Sequence, residues 1–119
     1  MKKILIVDDQ QGIRMLLDEI FKKEGFETFQ VGNGIQAVEL LKNENVDLML
    51  LDMKLPGMDG LSVLKEVRET LNKKFPVMMM TAYSEQQLIE QALAFGDVQY
   101  LTKPFNIFEL LAQVKQILA

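Results

Sequence analysis

The segment ILIVDDQ, residues 4–10, decides the fold of this chain, because in it an apolar strand runs directly into two carboxylates. The four apolar residues 4–7 are uninterrupted, as in strands that are buried on both faces of a parallel sheet. Asp8 and Asp9 follow without a spacer. Burial and neighbouring like charges both disfavour ionised carboxylates, so another group must offset the cost of this pair.

Apolar runs of strand length recur along the 119 residues. They lie at residues 26–31, 47–51, 76–80 and 98–101, after the first at 4–7. The first, third and fourth runs are apolar on both faces, which indicates central strands. The second and fifth alternate more, which is typical of edge strands.

Helical periodicity separates these runs. Gly25 is expected to end the first helix, and three starts carry a cap with a partner three residues on: Asn33 with Gln36, Ser84 with Gln87, and Asn106 with Glu109. The apolar stripes are Ile13, Leu16, Leu17, Ile20 and Phe21; Ala37, Val38 and Leu41; Leu61, Leu64, Val67 and Leu71; Leu88, Ile89, Ala92 and Leu93; and Ile107, Leu110, Leu111, Val114 and Leu118.

The alternation of strands and helices predicts an α/β fold with five strand–helix units. Such units form a parallel sheet that is covered by helices on both faces and joined by right-handed crossovers. No linker-like or low-complexity stretch divides the chain, so we expect one domain over residues 1–119.

Composition excludes several classes of function. The chain has no histidine and no cysteine, which leaves only oxygen ligands and excludes catalytic triads or zinc sites built on imidazole. A net charge of −4 without a basic cluster disfavours nucleic-acid binding. No apolar run approaches the length of a membrane span. Absent cysteine favours a cytoplasmic location, and we expect a monomer.

The carboxyl ends of the predicted strands carry a coherent set of polar residues. They are Asp8 and Asp9, Asp52, Thr81, and Lys103. Because ligands bind outside the carboxyl ends of parallel strands, these side chains are expected to face one cleft. Three carboxylates, one divalent cation and one ammonium are formally neutral together, and Mg²⁺ prefers carboxylate oxygens. The set therefore predicts a magnesium site.

Four segments resemble the receiver domains of bacterial two-component response regulators. They are ILIVDDQ, VDLMLLDMKLPGMDG, VMMMTAY and YLTKPF, and the resemblance covers essentially the whole chain. It implies the flavodoxin-like (βα)5 fold with strand order 2-1-3-4-5. It also implies a phosphoprotein of a two-component system.

The resemblance assigns roles to single residues. Asp52 matches the phosphoacceptor, a carboxylate nucleophile toward a phosphohistidine. Asp9 matches the direct Mg²⁺ ligand and Asp8 the ligand that acts through water, with Asp52 and the backbone carbonyl of Lys54 completing the protein's share.

Two further roles concern the phosphoryl oxygens. Lys103 is expected to pair with them, and Thr81 to hydrogen-bond one of them. The Lys103–Pro104 bond is commonly cis in this family. The implied reaction is Mg²⁺-dependent phosphoryl transfer, in which positioning and charge neutralisation supply most of the catalysis.

Within the family, the segments DDQQGIRMLLDEIFKKEGF (8–26) and LLDMKLPGMDG (50–60) most resemble those of stand-alone phosphotransfer intermediates of sporulation-type phosphorelays. The implied partners are a sensor histidine kinase and a histidine phosphotransferase. The implied docking face combines the first helix with an adjoining loop. Its residues are Gln11, Gly12, Ile13, Arg14, Leu16, Pro104 and Phe105.

Two alternatives remain at this stage. A chemotaxis-type effector would bind its target through the fourth-helix to fifth-helix face, with Thr81 and Tyr100 as switch residues. A metal-dependent phosphatase with an aspartyl nucleophile would carry an acid two residues after Asp52, where this chain has Lys54. The second alternative is therefore disfavoured.

Overall fold

A computed structural model describes residues 1–119, apart from the side chain of Tyr83. Five parallel strands form one sheet in the order β2-β1-β3-β4-β5, as predicted, with the two alternating runs at its edges. The strands are β1 Lys3–Val7, β2 Glu27–Val31, β3 Leu48–Asp52, β4 Val77–Thr81 and β5 Val98–Thr102. The helices are α1 Gln11–Lys23, α2 Gly34–Asn43, α3 Gly60–Lys65, α4 Gln86–Leu93 and α5 Ile107–Leu118.

The apolar core has two layers, one on each face of the sheet. Ile4 and Ile6 point from β1 into the layer beneath α1 and α5, whereas Leu5 and Val7 point into the layer beneath α2, α3 and α4. This alternation follows from the two-residue period of a strand. It explains why residues 4–7 of β1 are all apolar, and it confirms helices on both faces.

Local signals fix most helix ends as predicted. The Asn33 side chain accepts a hydrogen bond from the Gln36 N–H at 2.8 Å. The Asn106 side chain accepts from the Phe108 N–H at 2.8 Å. Helix α1 ends just before Gly25. These caps satisfy backbone donors that have no partner inside the helix.

The predicted cap at Ser84 is wrong. A short 3-10 turn, Tyr83–Glu85, precedes α4, which begins at Gln86. The Glu85 carboxylate accepts from the Ala82 N–H at 2.6 Å instead. The longer glutamate side chain reaches back to the backbone and closes the loop after β4, so Ser84 is not the capping residue.

The third predicted helix is interrupted by a wider turn. Helix α3 gives way to a π-turn at Glu66–Thr70, where the Leu71 N–H donates to the Glu66 carbonyl at 3.0 Å. The wider turn places both Val67 and Arg68 inside the protein. The Arg68 guanidinium is satisfied by backbone carbonyls, including those of Lys73 and Gly96. Along the described residues, no helix has the length and hydropathy that crossing a bilayer would require.

Candidate functional site

The carboxyl ends of β1 and β3 bring three aspartates together. Val7 pairs with Leu51 in the parallel register, so Asp8 and Asp52 stand side by side at the same edge of the sheet. Carboxylate oxygens of Asp8, Asp9 and Asp52 lie within 4.8 Å of one another. The expected meeting of the strand ends is therefore confirmed.

Lys103 reaches into this acidic cluster from the end of β5. Its ammonium nitrogen lies 3.1 Å from Asp8 Oδ2 and 3.2 Å from Asp52 Oδ2, so one cation bridges two carboxylates. The Lys103 N–H donates to the Thr81 carbonyl at 2.6 Å, which continues the pairing of β4 with β5. The Lys103–Pro104 peptide bond is cis, as expected.

The charges of the cluster shift two pKa values. Burial raises the pKa of Asp52; Lys103 lowers it and Asp8 raises it, and the net direction is upward. Burial lowers the pKa of Lys103, but the carboxylates of Asp52 and Asp8 together raise it by more. The positive charge of Lys103 therefore does not fully offset the burial of Asp52 and the negative charge of Asp8. The cluster has the hard oxygen donors and the excess negative charge that suit Mg²⁺.

The two adjacent aspartates differ in how they are held. Asp8 is fully buried; its Oδ1 accepts from the Gln10 N–H at 2.9 Å, and its backbone carbonyl accepts from Arg14 Nη1 at 2.7 Å. Asp9 is exposed. Among the described residues, no side-chain hydrogen bond or ion pair holds the Asp9 carboxylate, so it is free to take an external ligand.

Thr81 ends β4 with an unused hydrogen-bonding group. The residue is buried, and its hydroxyl has no partner among the described residues. A buried polar group without a partner costs about 1–3 kcal/mol. Such a hydroxyl is suited to a ligand oxygen that arrives at the cleft.

The loop after Asp52 depends on Gly60, which no sequence pattern singles out. A Cβ on Gly60 would lie 2.4 Å from the Asp52 carbonyl oxygen, so only glycine allows α3 to start against β3. The Gly60 N–H donates to the Met53 carbonyl at 2.9 Å. The backbone N–H of Lys54 donates to Asp52 Oδ1 at 3.3 Å. The loop thus fixes both the backbone and the carboxylate of Asp52.

Four of the seven predicted docking residues line an apolar groove beside the cluster, whereas Gln11, Gly12 and Arg14 do not. The groove has a volume of about 470 Å³. Gln11 and Gly12 are exposed at the start of α1, and Arg14 turns inward to Asp8. Tyr100 lies on β5 outside the groove and is 44% exposed. The groove is lined by Ile13, Leu16, Lys103, Pro104, Phe105 and Ile107.

The chain belongs to the response regulator receiver domain family, whose model matches residues 4–115. The fold, with an acidic cluster at the carboxyl end of its sheet, agrees with this membership.

Two individual proteins are similar to this chain over nearly its whole length. Sporulation initiation phosphotransferase F of Bacillus subtilis (strain 168) is 48% identical over 117 residues, which cover 98% of this chain and 94% of that protein. Response regulator TrrA of Thermotoga maritima, solved in complex with Mg²⁺–BeF, is 37% identical. Its structure matches with a TM-score of 0.85, covering 98% of this chain and 99% of that one.

Chemotaxis protein CheY4 of Vibrio cholerae is a further structural relative. It is 29% identical and matches with a TM-score of 0.89, covering 98% of both chains. The chain is therefore similar both to a sporulation phosphotransferase and to a chemotaxis protein.

Proposed function

We propose that this protein is a phosphorelay intermediate that accepts a phosphoryl group on Asp52 from a sensor histidine kinase and passes it to a histidine phosphotransferase. The observation that carries the proposal is the buried Asp52 carboxylate, flanked by Asp8 and bridged by Lys103 at 3.2 Å. The similarity to sporulation initiation phosphotransferase F supports a relay of the sporulation type.

Asp52 acts as the nucleophile. An Asp52 carboxylate oxygen attacks the phosphorus of a phosphohistidine; the new P–O bond forms as the P–N bond breaks and the imidazole leaves. The second step is the same displacement in reverse, with a histidine of the phosphotransferase as the attacking group. Lys103, which already contacts Asp52, and the unpartnered Thr81 hydroxyl bind phosphoryl oxygens.

Asp8, Asp9, Asp52 and the backbone carbonyl of Lys54 would hold Mg²⁺. The clustered oxygens and the raised pKa of Asp52 support this assignment. The bound metal supplies charge neutralisation for the phosphoryl oxygens. Asp9 is the ligand that solvent reaches most easily, so it is the natural entry point for the cation.

The apolar groove is the proposed docking surface for both partners. Lys103 lines the groove and also contacts Asp52, so the groove opens onto the phosphorylation site. Leu16 is 48% exposed there, and Phe105 and Ile13 are half-buried. A partner helix that carries the reacting histidine would bury this apolar surface while presenting its imidazole to Asp52.

A chemotaxis-type effector is the second candidate. The half-exposed Tyr100 on β5 and the likeness to CheY4 favour it. An effector would change its binding surface when Asp52 is phosphorylated and would not hand the group on.

Trapping of the phosphoryl group tests the assignment of Asp52. The protein is incubated with Mg²⁺ and acetyl phosphate, and borohydride then reduces any aspartyl phosphate to homoserine, which peptide mass spectrometry locates. We expect homoserine at position 52, none in Asp52→Asn, and the normal yield in Glu69→Gln, which removes an exposed carboxylate elsewhere. Homoserine at another aspartate would overturn the assignment.

A further inference from the structure

We propose that Arg14 is a positioning residue that orients Asp9 for the cation through the peptide bond between Asp8 and Asp9. This inference rests on the proposed function, because it concerns how the metal site is prepared. Arg14 does not need to touch the phosphoryl group or the cation to act in this way.

The contact that carries the inference is a hydrogen bond to backbone. Arg14 Nη1 donates to the Asp8 carbonyl oxygen at 2.7 Å, which is short for a bond from nitrogen. Arg14 lies in the first turns of α1, so it reaches back over the loop that connects β1 to its own helix. Among the described residues, no carboxylate lies within ion-pair distance of this guanidinium.

A fixed Asp8 carbonyl constrains the next residue. The peptide unit is planar, so holding the Asp8 oxygen also sets the direction of the Asp9 N–H and Cα. The Asp8 side chain has its own hydrogen bonds to Gln10 and Lys103, but the exposed Asp9 carboxylate has none among the described contacts. The orientation of Asp9 therefore depends on its backbone, which Arg14 holds.

Gly32 forms the surface on which the guanidinium rests. A Cβ at Gly32 would lie 3.2 Å from Arg14 Nη1 and 3.6 Å from Arg14 Cζ. The neighbouring backbone is tied to β1, because the Asp8 N–H donates to the Val31 carbonyl. Arg14 thus spans the loops after β1 and β2. A methyl group at Gly32 would shift the guanidinium by a few tenths of an ångström without removing its charge.

Electrostatics alone predicts the opposite effect to positioning. Arg14 places a permanent positive charge beside the acidic cluster, and this charge repels an incoming cation. Removing the charge would therefore strengthen Mg²⁺ binding if charge were all that mattered. If Arg14 positions Asp9, removing it weakens Mg²⁺ binding. The sign of the change separates the two roles.

The test is a Mg²⁺ titration followed by amide chemical shifts in the isolated protein, with no kinase or phosphotransferase present. We expect Arg14→Met to raise the Kd for Mg²⁺ by about three- to tenfold, and Arg14→Lys, which keeps a donor, to recover part of the loss. Lys23→Met removes an exposed charge from the same helix and should leave the Kd unchanged. An unchanged or lower Kd in Arg14→Met would overturn the inference.

A double-mutant cycle and a metal-free measurement complete the test. Gly32→Ala should raise the Kd in the wild type, by less than Arg14→Met does, and have no further effect in Arg14→Met, because both changes act on the same contact. Additive effects would count against that contact. If the wild type itself shows no saturable shift, the metal part of the proposed function fails. In that case the backbone order parameter of Asp9, measured without Mg²⁺, tests whether Arg14 holds Asp9. A lower value in Arg14→Met would support the positioning role, and an unchanged value would overturn it.

Discussion

Asp52 carries its negative charge where the surrounding structure disfavours it. The residue is buried at the end of the central strand β3, with Asp8 beside it and only Lys103 in contact as a cation. Because its pKa is raised, the folded protein without metal favours the protonated carboxyl more than the unfolded chain does. The same unfavourable electrostatic environment favours the binding of a cation.

Asp52→Asn should stabilise the metal-free protein at neutral pH. The free-energy gain comes from removing a buried charge whose folded-state pKa lies above its unfolded value of 3.8. Below that value both proteins are uncharged at position 52, so the difference vanishes; it grows as the pH rises through the folded pKa. We expect a Tm increase of roughly 2–6 °C at pH 7.

Urea unfolding of both proteins between pH 4 and pH 7 measures this difference. A constant difference across that range would contradict the raised pKa as its cause, and a less stable Asp52→Asn protein at pH 7 would contradict the stated balance of charges.

Some site residues could be predicted from the sequence and others could not. The acids, Thr81 and Lys103 are predictable because parallel strands bring their carboxyl ends to one edge. The contact of Arg14 with Asp8 depends on a side-chain conformation that spacing does not determine. The role of Gly60 could not be predicted for a different reason. Position 60 must lack a Cβ because α3 approaches the Asp52 backbone so closely, and this approach is known only from the folded structure.

Helix α1 divides its apolar stripe between the core and an exposed groove. Leu17 and Phe21 are buried against the sheet, whereas Leu16 is 48% exposed at the groove. The stripe predicts an amphipathic helix but not how deep each residue lies. Similarly, the stripe of α3 gives no sign of the π-turn at Glu66–Thr70, because apolar spacing tolerates one wider turn.

Leu16→Ala and Leu17→Ala form a matched pair that tests the docking surface. Leu16→Ala should slow phosphoryl transfer from a cognate kinase by roughly 5- to 30-fold, the loss of about 1–2 kcal/mol of binding free energy at an apolar anchor. Its Tm and its reaction with acetyl phosphate should stay near wild type. Leu17→Ala should instead lower the free energy of unfolding by about 2–5 kcal/mol.

Kinase transfer, acetyl phosphate reaction and Tm are measured side by side on both variants. The docking proposal would fail if Leu16→Ala left kinase transfer untouched while Tyr100→Ala blocked partner binding, because that result favours the effector alternative.

At the scale of the whole molecule, the fold brings three carboxylates to one edge of the sheet, where the single ammonium of Lys103 neutralises only part of their negative charge. This arrangement follows from the sheet order, which places buried β1 beside buried β3, and from Lys103, which extends from the end of β5 to the same edge. Stability and ligand binding are therefore linked, because a cation that binds only the folded state stabilises it.

Mg²⁺ should raise the Tm of the wild-type protein. At a Mg²⁺ concentration ten times the Kd, binding adds about 1.4 kcal/mol to the free energy of unfolding. This corresponds to a rise in Tm of roughly 3–6 °C for a domain of this size. Asp9→Asn should lose most of the increase. Sodium chloride at matched ionic strength controls for charge screening. A Tm that responds equally to both salts would contradict a specific site.

Transfer out of the phosphorylated protein tests the central claim most directly. The protein is labelled on Asp52 with radioactive phosphoryl groups, freed of kinase, and mixed with a histidine phosphotransferase of a sporulation-type relay in the presence of Mg²⁺. We predict that the label moves to a histidine of the phosphotransferase faster than it appears as inorganic phosphate. Label that leaves Asp52 only as inorganic phosphate, at the same rate with and without the phosphotransferase, would contradict the account.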